Sequence, residues 1–215
     1  MNYKESLFFI AKSLTISLEE KNRSEIEQIL KTNNLDWEAL VKVSTSQCVF
    51  PAIYCNFKRA NFLKYLPADL VSYMKYITNI NRNRNTLILE QAQKLNNLLL
   101  ANNIRPIFLK GTGNLLAGLY DDIGERMVGD IDFIFSKEDY PKAITILKDY
   151  GYSEIEKRKY FRPGERHYGR LKKKNNIAAV EIHSRFLDIK KYDYEFNYSF
   201  VEKDSQVING FAVLS

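Results

Sequence analysis

The chain has 215 residues, of which 45% are hydrophobic, and this is enough to form one substantial hydrophobic core or two small ones. The composition excludes a disordered chain, no apolar run approaches a membrane span, and Cys48 and Cys55 lack metal-type or redox-type spacing, so we expect a soluble cytoplasmic protein. The 32 basic residues outnumber the 26 acidic ones and give a net charge of +6, which favours an anionic partner such as a nucleotide.

The first part of the chain has a helical pattern throughout, and we expect an all-α N-terminal domain over residues 1–103. Within its last long helical stretch, residues 81–85 alternate asparagine with arginine and interrupt the apolar face. The interruption indicates either a solvated kink between two helices, which is the plainer interpretation, or a polar functional face. In the second case Arg82 or Arg84 would reach a bound phosphate.

The periodicity changes at residue 104, where we predict the start of a second domain over residues 104–215. Residues 104–109 are predicted to form a strand, residues 112–120 a helix, residues 127–135 a second strand, and residues 136–150 another helix. A hairpin follows over residues 168–173 and 177–183, with Asn175 and Asn176 in the turn. The sequence ends in an apolar run, residues 211–215, from which we expect a truncated C-terminal segment.

Two carboxylates stand one residue apart in the predicted second strand. Side chains alternate between the faces of a strand, so Asp130 and Asp132 project together while Ile131 and Phe133 enter the core behind them. Burying two carboxylates without partners is costly, and a divalent cation is the most economical compensation. The pattern therefore predicts metal-assisted phosphoryl transfer.

Further residues of the predicted domain fit this chemistry. Gly111 and Thr112 lie at a strand-to-helix turn, where free backbone N–H groups can bind a phosphate, and Lys110 adds positive charge. Glu181, between two apolar residues of the later strand, supplies a third carboxylate. Three carboxylates at one point would hold two Mg²⁺ or Mn²⁺ ions, and an acceptor hydroxyl would then attack the α-phosphorus of a nucleoside triphosphate and expel pyrophosphate.

These residues, in this order, resemble a known family. The segments Leu109-Lys110-Gly111, Asp130-Ile131-Asp132 and Val180-Glu181-Ile182-His183, with Arg126 before the aspartates, look like a bacterial nucleotidyltransferase-like family of the DNA polymerase beta-type nucleotidyltransferase superfamily. The resemblance extends from the N-terminal helices to about residue 200. It implies an α+β fold, in which an all-α N-terminal part precedes a small nucleotidyltransferase α/β core with a mixed sheet.

The resemblance also implies roles for particular residues. Asp130, Asp132 and Glu181 would be the catalytic metal carboxylates, and Gly111 the glycine of the phosphate-binding turn. Lys110 and Arg126 would contact phosphate. The chain departs from the superfamily in having Thr112 where serine or glycine is usual.

Several other polar residues have two interpretations. His183 shares the strand face of Glu181 and would position the acceptor or a phosphate, or simply complete packing at a strand end, and His167 is comparable. The basic residues between Lys157 and Lys174 would bind nucleic acid or form a solvated hairpin rim. We favour the rim, and we expect no stable DNA binding.

The function predicted from the sequence is transfer of a nucleoside monophosphate from a nucleoside triphosphate to a hydroxyl acceptor. A small molecule, a protein side chain and an RNA end are all compatible acceptors. The alternative is a catalytically inactive protein that keeps the fold and acts as a nucleotide-binding or protein-interaction module.

Overall fold

A computed structural model of the protein describes residues 2–32, 34–155, 168–187 and 196–214. These residues form eight α-helices, namely α1 (Tyr3–Leu14), α2 (Glu20–Thr32), α3 (Trp37–Ser46), α4 (Phe50–Arg59), α5 (Ala68–Ala101), α6 (Lys110–Leu116), α7 (Asp139–Asp149) and α8 (Tyr198–Lys203). Their seven strands are β1 (Ile107–Leu109), β2 (Asp130–Ile134), β3 (Ser153–Glu154), β4 (Leu171–Lys172), β5 (Ala179–His183), β6 (Ser205–Ile208) and β7 (Phe211–Leu214). None of the helices in these ranges combines the length and the apolar character needed to cross a membrane.

The chain divides into two compact units. The first comprises Met1–Asn85 and Asp122–Met127, and the second comprises Thr86–Asp121 and Val128–Ser215. The domain boundary predicted near residue 104 rests on a change in the sequence pattern, and it stays a prediction. The boundary between the two compact units instead falls within α5, after Asn85. The short segment Asp122–Met127 of the later sequence belongs to the first unit.

The first unit is helical, with a core drawn from α1 to α5. The core is built from apolar residues at helical spacing, and its fully buried members include Ile26, Leu40, Ile53, Phe57 and Met74. Helix α1 begins with a reciprocal capping box between Asn2 and Glu5. The prediction of a helical N-terminal region is therefore confirmed.

Helix α5 passes through the asparagine-rich stretch without a break, so the predicted kink is wrong. Asn81 and Asn85 are four residues apart and lie on the same face of the helix. The Asn81 amide donates to the carbonyl oxygens of Gly124 and Arg126, at 2.8 and 3.0 Å. The Asn85 amide donates to the carbonyl oxygens of Ile123 and Arg126, at 2.6 and 2.7 Å. The polar face of α5 thus satisfies three backbone carbonyls of the segment Asp122–Met127.

Ion pairs attach the same segment to two helices of the first unit. Arg82 donates from Nε and Nη2 to the two carboxylate oxygens of Asp122, at 2.9 and 2.6 Å. Arg59 on α4 is paired with Glu125. The guanidinium of Arg82, which was one candidate for a phosphate contact, therefore has a structural partner within its own unit.

The second unit contains a mixed sheet in the order β3-β4-β5-β2-β1-β7-β6. The pairs β2 with β5 and β1 with β7 are parallel, and the other neighbours are antiparallel. The predicted α+β fold with a mixed sheet is confirmed. The predicted hairpin is also present, because β4 and β5 pair antiparallel and Asn175 adopts the positive φ of 67° that its turn requires.

Helix α6 differs from its prediction at both ends. It covers Lys110–Leu116 rather than residues 112–120, so it starts directly after β1. The chain then leaves the helix at Gly118, whose φ of 70° ends the helical conformation. The segment that follows is a loop, as predicted, and it leads to β2.

A buried polar network connects α5 to the hairpin inside the second unit. The amide of Gln91 donates to the carbonyl oxygen of Ala178 at 3.0 Å, and its oxygen accepts from the Ala178 N–H at 3.1 Å. Gln91 also donates to the hydroxyl of Tyr152 at 3.1 Å, and Asn176 donates to the same hydroxyl at 2.6 Å. One glutamine therefore satisfies both backbone groups of a residue that lies just before β5.

Replacing Gln91 by leucine should destabilise the protein by about 2–3 kcal/mol, because the buried N–H and C=O of Ala178 lose their partner. The measurement is urea unfolding followed by circular dichroism. Gln93→Leu, at an exposed position of the same helix, is the matched control and should change little. Equal effects of the two substitutions would contradict the role given to the network.

The pair between Arg82 and Asp122 predicts a dependence of stability on pH. The hydrogen bond from Arg82 lowers the pKa of Asp122, partial burial opposes this, and the Gly124 N–H adds to the lowering. A lowered pKa in the folded state stabilises the protein above the unfolded pKa of about 4, and the stabilisation is lost as the pH falls through the folded value.

Asp122→Asn should therefore lower stability at pH 7, by about 1 kcal/mol given the partial exposure of the pair, and the difference from the native chain should be smaller at pH 3, below the unfolded pKa of about 4. Urea midpoints at both pH values test this. Asp149→Asn, which changes an exposed carboxyl, is the control. A deficit that persists unchanged at pH 3 would show that the Asp122 charge is not the cause.

Candidate metal centre

The candidate site lies on two neighbouring parallel strands, β2 and β5. In the pairing of β2 with β5, Asp132 lies opposite Glu181, and Ile134 lies opposite His183. Residues two apart on a strand share a face, so His183 projects on the same side as Glu181. On its other edge β2 pairs with β1, where Leu109 is the partner of Asp132 and precedes Lys110. Four polar residues from three elements thus meet at one point.

The side chains of this group are in direct contact. The Oδ1 atom of Asp132 lies 2.8 Å from Nε2 of His183 and accepts from Nζ of Lys110 at 2.5 Å. The Oε2 atom of Glu181 lies 3.7 Å from Nζ of Lys110 and 3.9 Å from Nε2 of His183. One ligand atom from each of Asp132, Glu181 and His183 can be chosen so that all three lie within 4.8 Å of one another. Among the described residues this is the one group of metal-ligating side chains with that geometry.

Asp132 is 5% exposed, so its charge needs compensation. Burial by itself raises the pKa of the Asp132 carboxyl, but the hydrogen bonds from His183 and Lys110, together with the positive charge of Lys110, outweigh burial and leave the pKa below its ordinary value. The carboxylate is therefore ionised at neutral pH. An ionised, buried carboxylate beside a second acid is a suitable ligand for a divalent cation.

Asp130 has a different environment from the one expected. It is half-buried at the start of β2, it is paired with Nη2 of Arg170, and it is not a member of the three-residue group. Nε of Arg170 also lies 3.5 Å from Oε1 of Glu181. The structure thus brings together Asp132 and Glu181 of the three predicted carboxylates, adds His183, and couples Asp130 to them through an arginine.

Arg170 was not predicted as a site residue, because the basic residues of this segment were assigned to the solvated rim of the hairpin. Its position was available from the sequence, since counting outward from the turn at Asn175 and Asn176 places Arg170 opposite Glu181. The observed antiparallel pairing of Leu171 with Val180 gives the same register. An arginine opposite an acid across a hairpin predicts an ion pair.

The connection from β1 to α6 orients Lys110. The backbone of this residue adopts a positive φ of 55°, which is unfavourable for residues other than glycine. Its ammonium group contacts Asp132. Gly111 is buried in the first turn of α6. Thr112, whose backbone was predicted to contact phosphate, is fully buried, and its hydroxyl donates to the carbonyl oxygen of Asp130 at 2.9 Å, which links α6 to β2.

The remaining predicted site residues belong to the first unit or lie outside the described residues. Arg126 is exposed and belongs to the first unit, where its carbonyl oxygen accepts from α5. Arg84 is a half-buried residue of the first unit on α5 itself. His167 lies outside the described residues, as do the basic residues Lys157, Arg158, Lys159, Arg162 and Arg166. Their predicted roles stay predictions.

The fold and the site define an α+β protein with a candidate metal centre of two carboxylates and one histidine. The model of a family described as an uncharacterised nucleotidyltransferase matches residues 33–215, and the chain belongs to this family. No curated protein and no solved structure matches the chain. The resemblance of the motif residues to a nucleotidyltransferase-like family is thereby confirmed.

The structure predicts unequal roles for two glycines near the site. A Cβ atom added to Gly113 on α6 would lie 2.7 Å from the carbonyl oxygen of Phe108, whereas one added to Gly129 before β2 would have no neighbour within 4 Å. Glycine to alanine within a helix ordinarily stabilises by about 0.5–1 kcal/mol. The contact with Phe108 reverses the sign at Gly113.

Gly113→Ala should therefore lower the free energy of unfolding by about 1–3 kcal/mol, because the α6 backbone must move away from β1. Gly129→Ala should leave it within about 0.5 kcal/mol. Thermal unfolding of the two variants beside the native chain is the measurement. A stabilised Gly113→Ala variant would show that α6 is not packed against β1 in this way.

Proposed function

We propose that this protein transfers a nucleoside monophosphate from a nucleoside triphosphate to a hydroxyl acceptor, with divalent cations held at the candidate centre. The observation that carries the proposal is the convergence of Asp132, Glu181 and His183 in a member of a nucleotidyltransferase family. The family supports the reaction class and a nucleotide substrate. The residues of the centre support a metal.

The donor set fits a divalent cation. Six-coordinate Mg²⁺ binds oxygen at about 2.0–2.1 Å, so its ligand atoms are separated by roughly 3 Å when adjacent and 4.2 Å when opposite. The three donors lie within 4.8 Å of one another, which is a separation of this order. Because an imidazole nitrogen is a softer donor than a carboxylate, this set suits Mn²⁺ at least as well as Mg²⁺. A second ion would take ligands from Asp130 and from the substrate.

The chemistry of the proposed reaction would be shared between the cation and the chain's own residues. A bound divalent cation would polarise the phosphate oxygens and lower the pKa of the acceptor hydroxyl. Lys110 and Arg170, whose side chains are 44% and 48% exposed, are the cations placed to bind triphosphate oxygens. Asp132 stays ionised through its hydrogen bonds, and β1 and β5 hold it on both edges of β2. These groups would align the α-phosphorus with the attacking oxygen.

One observation favours the second candidate function, a binding module without turnover. Lys110 is paired with Asp132 and Arg170 with Asp130, so each aspartate is already neutralised within the chain. A module of this kind would bind nucleotide, or a protein, without a divalent cation. The requirement for the cation therefore separates the two candidates.

Calorimetric titration of ATP, GTP, CTP and UTP should show binding with Mg²⁺ or Mn²⁺ and at least about tenfold weaker binding in EDTA. Asp132→Asn and Glu181→Gln should each abolish the dependence on metal, because they remove the two carboxylates that the register brings together. Asp149→Asn, with its exposed carboxyl on α7, is the matched control.

Metal-dependent binding that survives in both site variants would contradict the proposed centre. Binding that is equally strong in EDTA would support the binding module. Circular dichroism of each variant establishes that the fold is kept, so that loss of binding is attributable to the carboxylate.

A further inference from the structure

A cavity of about 300 Å³ lies where β2 and β5 end. Ile134 and His183 are paired as the last residues of these strands, and the residues that follow them, Phe135 and Ser184, both line the cavity. Because a strand advances about 3.3 Å per residue, the cavity begins one residue beyond His183 and roughly 10 Å beyond Asp132. It therefore lies beyond the C-terminal ends of the two strands that carry Asp132, Glu181 and His183.

The walls of the cavity combine aromatic rings with positive charge. The rings belong to Phe135, Phe196 and Tyr198, and the cationic side chains are those of Lys137 and Arg185. Ser184 adds a hydroxyl group.

Two of the rings are held by neighbours on α8. The ring of Phe196 meets that of Phe200 at a centroid distance of 5.1 Å and an interplanar angle of 74°. The hydroxyl of Tyr198 donates to Oε1 of Glu202 at 3.3 Å, and burial raises the pKa of Tyr198 to about 12, so the ring is a neutral phenol at physiological pH. Fixed, uncharged rings lose little freedom when a planar ligand packs against them.

We infer that this cavity binds a nucleoside monophosphate unit of the acceptor, with the base among the aromatic rings and the phosphate at Lys137 and Arg185. Aromatic side chains stack on nucleobases, and paired cationic groups bind phosphate oxygens. A volume of about 300 Å³ is at the small end of ligand pockets and suits one nucleotide rather than an extended chain. A free mononucleotide and the terminal nucleotide of an RNA strand share this chemistry.

The inference rests on the proposed function and names the acceptor class for it. A sugar hydroxyl of the bound nucleotide would face the centre formed by Asp132, Glu181 and His183. Its oxygen forms a bond to the α-phosphorus of the nucleoside triphosphate, the bond from that phosphorus to pyrophosphate breaks, and the hydroxyl proton passes to solvent. The product is an acceptor extended by one nucleotide.

The experiment is calorimetric titration of AMP into the full chain in EDTA, which separates the cavity from any metal-dependent site. AMP should bind, and Lys137→Gln should weaken it about tenfold through loss of a charge-assisted contact. Tyr198→Leu should weaken it comparably, and adenosine, which lacks the phosphate, should bind the native chain less tightly than AMP. Lys142→Gln, at an exposed lysine on α7, is the matched control and should leave the affinity of AMP unchanged.

A second titration with the trinucleotide ApApA distinguishes the two sources of the ligand. Tighter binding than that of AMP, still weakened by Lys137→Gln, would identify an RNA end. Equal or weaker binding would identify a free mononucleotide.

The inference is overturned if AMP fails to bind, if Lys137→Gln and Lys142→Gln behave alike, or if AMP binds only with Mn²⁺ and is lost in Asp132→Asn. The last result would place the nucleotide at the metal centre and leave the proposed function intact. Conversely, AMP binding in EDTA with no metal-dependent binding of any triphosphate would support a nucleotide cavity and contradict the transfer reaction. Failure of the cavity and failure of the proposed function are thus separate observations.

Discussion

The parallel register between β2 and β5 is the constraint on which the site depends. Ile131 pairs with Val180 and Phe133 pairs with Ile182, and all four side chains are fully buried. A slip of one residue would exchange the two faces of a strand and move these side chains out of the core. The cost of exposing them fixes the register, and the fixed register brings Asp132 beside Glu181. The hydrophobic core on one face of the sheet thereby positions the polar group on the other.

The same register buries Asp132, which raises the free-energy cost of its charge, and it places the compensating hydrogen-bond donors beside it. A carboxylate in the middle of a sheet is buried by its neighbouring strands, and hydrogen bonds from His183 and Lys110 offset that burial. Lys110 contacts Asp132 from the first residue of α6, where it adopts a left-handed backbone conformation that costs of order 1–3 kcal/mol. Such local strain persists only where the surrounding contacts impose it. Close packing of Gly113 on Phe108 holds the following turn of α6 against β1.

Local patterns predicted more of this fold than of its site. Helical periodicity, strand alternation and the turn at Asn175 and Asn176 depend on neighbouring residues, and they predicted the helical region and the hairpin. The mixed sheet was implied by the family resemblance. The kink in α5 was predicted wrongly because the polar face of the helix has partners more than 35 residues away in sequence, and no local pattern encodes them. The membership of His183 in the three-residue group and the ion pair between Asp130 and Arg170 likewise required the register of three strands.

The ion pairs at the centre are compatible with catalysis as well as with binding alone. Lys110 and Arg170 are cations that a triphosphate would attract, and Asp130 and Asp132 are anions that a divalent cation would attract. A metal and a nucleotide that arrive together bring both signs of charge, so each side chain can exchange an internal partner for an external one at little net electrostatic cost. A nucleotide alone would compete with the aspartates for the two cationic residues, and a metal alone would compete with the cationic residues for the aspartates. Under the proposed function, charge balance within the centre would therefore favour joint binding of metal and triphosphate over binding of either one, as a nucleotidyl-transfer site requires.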